Sequence, residues 1–242
     1  MFDETVDGHA HTAFSAGRDS VLVLVAAAEE AGLRELTLAD RAGPDTAWLP
    51  AYLATIQRAQ QRTEIVLRRG IEVEAIGSDG WLAFPGDLAG LELVSVAVGR
   101  LPMPAGLAGP ETVRTLVAQR LLRPADVVEM LVTVTVRAIE RVSRYSPTTV
   151  ARALEFLTRA GIDENEISDA AADHLAAACR NTGTQVEVSE RFRAPVPRLA
   201  HRLAAGGVRF IPASDCFQAK EMGQWRYVTQ LGDQLRESLA SI

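Results

Sequence analysis

The chain has 242 residues, 48% of them hydrophobic and 23% charged, with a net charge of −6. That length suits a single domain over residues 1–242, including an α/β barrel of about 200–250 residues, with a core large enough to need no disulfide. An acidic balance with no Lys/Arg-rich run argues against a nucleic-acid-binding module.

In chain order, MFDETVDG lacks the basic start and apolar core of a signal peptide. Residues 4–12 read as a strand. Residues 19–32 read as a helix that Asp19 or Ser20 can cap and Gly32 can end. Its apolar run, VLVLVAAA, is too short to span a bilayer and leads into Glu29 and Glu30. Residues 33–39 alternate as a strand does. A helix follows around 47–62, then strands at 64–74 and 91–99. Residues 111–122, 124–144, 147–160 and 164–181 carry helical periodicity or composition. The last third returns to alternation: a strand at TQVEVSE, a helix at 195–206, a strand at GVRFIPASD and a final helix near 222–240. Strand–helix alternation predicts a parallel sheet covered by helices. Two cysteines, Cys179 and Cys216, are too few for a disulfide scaffold and fit a reducing compartment. A cytoplasmic protein without membrane association is expected.

The segment VDGHAHT holds two of the four histidines. On a strand, Asp7, His9 and His11 point the same way. Two imidazoles so placed can ligate one ion, and a nearby carboxylate can orient a ligating histidine. The alternative is a pair of histidines with local hydrogen bonds only. His174 and His201 fall in helical segments without a motif and read as surface residues. The glycine patterns of dinucleotide and phosphate loops and of nucleophile elbows are absent.

DGHAHTAFSAGR resembles the opening block of the PHP superfamily, named for polymerase and histidinol phosphatase. AAEEAGLRELTLADR, RRGIEVEAIGSDG, TGTQVEVSERFRAP and AAGGVRFIPASDCF are similar to later blocks of that family. They occur in order, from residue 6 to about 217. The resemblance implies a distorted (β/α)7-type barrel with a metal site at the C-terminal ends of its strands, where barrels keep their chemistry. It also implies ligands: His9, His11, Glu72 and Asp215 resemble one family site, and such a set suits one Zn²⁺, Mn²⁺ or Fe²⁺.

The chain departs from the family elsewhere. Asp40-Arg41 stands where the family has Asp-His, and Ala97 where it has the histidine of Ser-x-His. Asp215-Cys216-Phe217 stands where the family closes on Asp-x-His. A mid-chain histidine is absent, with Ser146 or Arg152 in its place. With Arg41, Ala97 and Phe217 at ligand positions, the resemblance implies one divalent ion or none, not three.

Two functions are compatible with this pattern. The first is a metal-dependent hydrolase of a small phosphoester or related anion. Arg41, Arg18 or Arg193 would hold the substrate's charge, though each taken singly reads as a surface salt bridge. Asp40 or Glu74 would accept a proton. Glu187 and Glu190, following a strand, would face the mouth, Glu190 equally well as a solvated residue. Cys216 reads as a small buried residue, a reactive thiol being the alternative. The second function is non-hydrolytic: a ligand- or partner-binding protein, or a lyase or isomerase. The lost ligands support it.

Overall fold

The computed structural model describes residues 2–240. The chain runs β1 (Val6–Ala10), α1 (Val21–Glu30), β2 (Glu35–Ala42), α2 (Leu49–Gln60), β3 (Val66–Glu74), β4 (Leu93–Ala97), β5 (Leu101–Met103) and β6 (Gly106–Ala108). It continues through α3 (Pro110–Ala118), α4 (Pro124–Val142), β7 (Thr148–Val150), α5 (Glu155–Ala160), α6 (Asp169–Thr182), β8 (Gln185–Ser189), α7 (Pro197–Ala205), β9 (Phe210–Ala213) and α8 (Tyr227–Ala240).

Helix boundaries follow local chemistry. The Ser20 and Ser168 side chains accept from the backbone N–H of Val23 and Ala171, capping α1 and α6. Gly183, at φ +69°, ends α6 in the left-handed conformation that costs glycine little. Prolines open α2, α3, α4 and α7, where a missing N–H is harmless.

Seven strands form one sheet in the order β1-β2-β3-β4-β7-β8-β9, every pairing parallel. The two outer strands then meet. Backbone bonds from Asp215 N to His9 O (2.9 Å) and His11 N to Cys216 O (3.0 Å) join the C-terminal ends of β1 and β9. Gly8 permits this approach, since a Cβ there would lie 2.8 Å from the Ile211 side chain. The result is an α/β barrel, nearly closed, with helices outside. Leu36, Leu38, Ile71, Val94 and Val96 are fully buried in its strands, as sheets covered on both faces require. Tyr52 of α2 is also fully buried, its hydroxyl shared between the carbonyls of Leu38 (2.6 Å) and Gly70 (2.9 Å).

Two features differ from the sequence reading. Residues 147–160 are not one helix. Thr148-Thr149-Val150 is a strand between β4 and β8, and only Glu155–Ala160 is helical. β-branched residues favour that pleated position, and the sheet needs a strand there to close. LPMPAGLA forms the hairpin β5–β6, hidden in sequence by its prolines and glycines. β3 and β4 are linked through residues 75–92 without a helix. Among the described residues, no helix is long and apolar enough to cross a membrane.

Candidate metal centre

Three strands deliver the site. His9 lies near the end of β1, His11 just past it, Glu72 on β3 and Asp215 just past β9. All four are buried, and one ligand atom from each lies within 4.8 Å of the other three. His9 Nε2 is 3.4 Å from Glu72 Oε2 and 3.9 Å from Asp215 Oδ1. His11 Nε2 is 3.8 Å from each of the same two oxygens. Ligands about 2.0–2.2 Å from a tetrahedral ion stand about 3.3–3.6 Å apart, so the cluster is slightly wider than a closed shell.

The histidine orientation comes from a residue that sequence reasoning placed at the mouth. Glu187, on β8, is fully buried. His9 Nδ1 lies 2.8 Å from its Oε2, while Ser95 Oγ of β4 and Thr149 Oγ1 of β7 each donate to Oε1 at 2.5 Å. With its Nδ1 proton held by the carboxylate, the ring turns Nε2 towards Glu72 and Asp215, the atom an ion would take in place of a proton. The polar Ser95 inside the apolar LVSVA was the available signal. Asp7 does not do this work. Its Oδ1 accepts from the backbone N–H of His9 (3.1 Å) and Ser214 (2.9 Å), tying β1 to the end of β9. The β1–β2 register shifts between Asp7 and Ala10, so strict alternation fails within the motif.

A divalent ion fits this donor set. His9 Nε2, both His11 ring nitrogens and Asp215 Oδ2 are buried without a hydrogen-bond partner. Such orphaned groups are costly unless something satisfies them. Burial disfavours a charged His9, but the Glu187 and Asp215 carboxylates outweigh it and raise its pKa well above the ordinary value. Burial dominates at His11 and lowers its pKa.

A cation of the chain's own also reaches the site. Arg152 leaves the end of β7 with φ +49°. Its Nη1 donates to Glu72 Oε2 (2.6 Å) and Asp215 Oδ1 (3.1 Å), and its Nη2 to Glu72 Oε1 (2.7 Å). Burial alone would raise the Glu72 pKa, yet the Arg152 charge and His9 hold it well below the carboxylate range. The guanidinium stacks 5.0 Å from the Phe192 ring. In the sequence Arg152 was one of two stand-ins for a missing histidine, and its left-handed backbone could not be read there.

The other expected residues divide into two groups. Arg41 Nε pairs with Glu72 Oε1 at 3.1 Å, and its guanidinium lies 5.5 Å from the Phe217 ring, which packs 4.8 Å from His11. Arg41, Glu74, Ala97 and Arg152 line one cavity of about 310 Å³, together with Arg100, Glu155, Arg159 and Phe192. Glu74 is paired there with Arg100 at 2.6 Å. Asp40 is buried beneath the loop after β1, accepting from the Thr12 backbone (3.0 Å) and hydroxyl (2.6 Å) and from the Ser15 hydroxyl. Arg18 is exposed and is not part of the cavity lining. Arg193 lines a separate depression with Arg191, Arg226 and Tyr227. Glu190 accepts from the backbone N–H of Arg226, Tyr227 and Val228, which start α8. Cys216 is buried and unpaired, with its thiol pKa pushed up by burial. His174 is exposed on α6, and His201 is half-buried on α7.

Fold and site together define an α/β barrel with a buried two-histidine, two-carboxylate cluster at the C-terminal ends of its strands. Solved structures share this fold. A protein named as a candidate histidinol phosphatase, hisK of Listeria monocytogenes, superposes with a TM-score of 0.72 at 14% identity, covering 93% of this chain and 99% of that one. N-isopropylammelide isopropylaminohydrolase from Burkholderia multivorans superposes with a TM-score of 0.55 at 17% identity, over 96% of this chain and 68% of that one. The barrel implied by the resemblance to the polymerase and histidinol phosphatase superfamily is therefore the fold found. No protein-family model and no curated protein sequence matches the chain.

Proposed function

We propose that the protein is a metal-dependent hydrolase of a small phosphoester or related anionic metabolite, a reduced member of the polymerase and histidinol phosphatase superfamily. His9, His11, Glu72 and Asp215 would hold one divalent ion. The observation that carries this reading is the convergence of four buried ligand atoms, with both Nε2 atoms lacking a hydrogen-bond partner. A bound ion supplies Lewis acidity towards a phosphoryl oxygen.

The chain's own residues do the rest. Arg41, half-exposed at the cavity wall, holds the substrate's negative charge, and Glu187 fixes the His9 ring. Glu74 can take a proton at a carboxylate oxygen once Arg100 turns from it to an incoming anion. Asp40 positions the loop that follows β1 through Thr12 and Ser15. The position of Arg193 in another depression, and of exposed Arg18 outside the cavity, favours Arg41 among the three arginines.

One observation favours a second reading, a non-hydrolytic binding protein: the Arg152 guanidinium already pairs with Glu72 and with one oxygen of Asp215. Elemental analysis and aryl phosphate hydrolysis separate the two. The hydrolase binds close to one equivalent of Zn, Mn or Fe, loses it in His9→Ala/His11→Ala, and stops when chelator is added. A protein that takes up no ion on reconstitution and hydrolyses nothing is the binding protein.

A further inference from the structure

Arg152 sits where a cation and a guanidinium want the same atoms. Its Nη1 contacts Glu72 Oε2 and Asp215 Oδ1, the two oxygens that also face His9 Nε2 and His11 Nε2. The arrangement is built rather than incidental. Arg152 is nine-tenths shielded from solvent, and its backbone is left-handed at φ +49°, with Leu154 left-handed at +56° in the same turn. Ordinary side chains adopt that conformation at some cost, and it is concentrated at functional sites. Arg152 lines the cavity that Arg41, Arg100 and Arg159 also line. A divalent ion held by Glu72 and Asp215 would lie beside the Arg152 guanidinium, and like charges so placed in a buried site repel strongly. A divalent ion entering the cluster must therefore displace Arg152 from the carboxylates or have its charge neutralised there. An oxyanion in the cavity can do that, because a planar guanidinium donates to two phosphate oxygens as readily as to two carboxylate oxygens.

We infer that Arg152 couples the two ligands of this site: it competes with the ion for Glu72 and Asp215, and a phosphate-like anion relieves that competition by taking Arg152 for itself. The inference rests on the metal site proposed above. Ion and anion then bind with positive cooperativity, each tightening the other by the same factor, as linkage requires. The chain holds its acids neutralised when neither is present and holds an ion more tightly once an anion arrives.

The test is Mn²⁺ binding by isothermal titration calorimetry, with and without inorganic phosphate, in the parent protein, Arg152→Gln and Arg152→Lys. Without phosphate, R152Q should bind Mn²⁺ at least about tenfold more tightly than the parent, with R152K between them. Phosphate should tighten Mn²⁺ binding severalfold in the parent and much less in R152Q. The midpoint of thermal unfolding supplies a second readout: R152Q should melt below the parent without ion, because two buried carboxylates lose their partner, and recover with Mn²⁺. If R152Q does not fold, R152K carries the comparison, since it keeps the charge and loses the paired geometry. Equal Mn²⁺ affinities in all three proteins, or equal phosphate enhancement in all three, overturn the coupling and leave the metal site standing. No Mn²⁺ binding in any of them overturns the metal site and the coupling with it.

Discussion

Three side chains from three strands converge on Glu187: the His9 ring, the Ser95 hydroxyl and the Thr149 hydroxyl. Replacing it by glutamine turns one acceptor oxygen into a donor that faces donors. Glu187→Gln should lose about 1–3 kcal/mol in denaturant unfolding, the cost of leaving buried donors unmatched. Its affinity for Mn²⁺ should fall by roughly 10–100-fold as the His9 ring loses its anchor. An unchanged ion affinity would mean that Glu187 does not set the ring. Some of these residues could be read in the sequence. His9 and His11 announce themselves by spacing, and Glu72 and Asp215 by their place in ordered blocks. Glu187 was set at the mouth because its neighbours belong to strands roughly 40 and 90 residues upstream, a pairing no local window contains. Asp7 was given the wrong task because a register shift interrupts the alternation on which its reading depended.

At the level of the element, Glu190 replaces a local cap. Its two carboxylate oxygens accept from three successive N–H groups at the start of α8, groups that a helix otherwise leaves unpaired. A carboxylate there also meets the positive end of the helix dipole. Glu190→Ala should therefore cost about 1–2 kcal/mol, in the range of a lost cap. Hydrogen exchange should locate the effect, with faster exchange at Arg226, Tyr227 and Val228 and unchanged exchange in β2 and β3; uniform acceleration would argue for a global cause instead. The other helices were legible because their stop and start signals are local, as Ser168 and Gly183 show for α6. β7 was not, because three β-branched-rich residues are too short to outweigh a helical window, and only the neighbouring β4 and β8 make them a strand.

For the molecule as a whole, the parallel barrel follows from alternation along the chain, whereas its closure depends on one seam. Cys216 lies in that seam, fully buried, and Cys179 is buried in α6. Burial pushes the Cys179 thiol up to about 12 and raises Cys216 as well, so both stay protonated and unreactive at neutral pH. A disulfide reagent such as dithionitrobenzoate should find no fast thiol in the folded protein, and two after denaturation. A thiol titrating rapidly under native conditions would show that the seam opens locally. The seam also imposes an order of events during synthesis. Residues 9 and 11 leave the ribosome first and must wait for residues 214–216 before their backbone partners exist. Pairings so distant in sequence form late. A nascent chain stopped before β9 holds His9, His11 and Glu72 but neither a shut barrel nor Asp215, so the ion pocket can arise only after residue 215 has been translated.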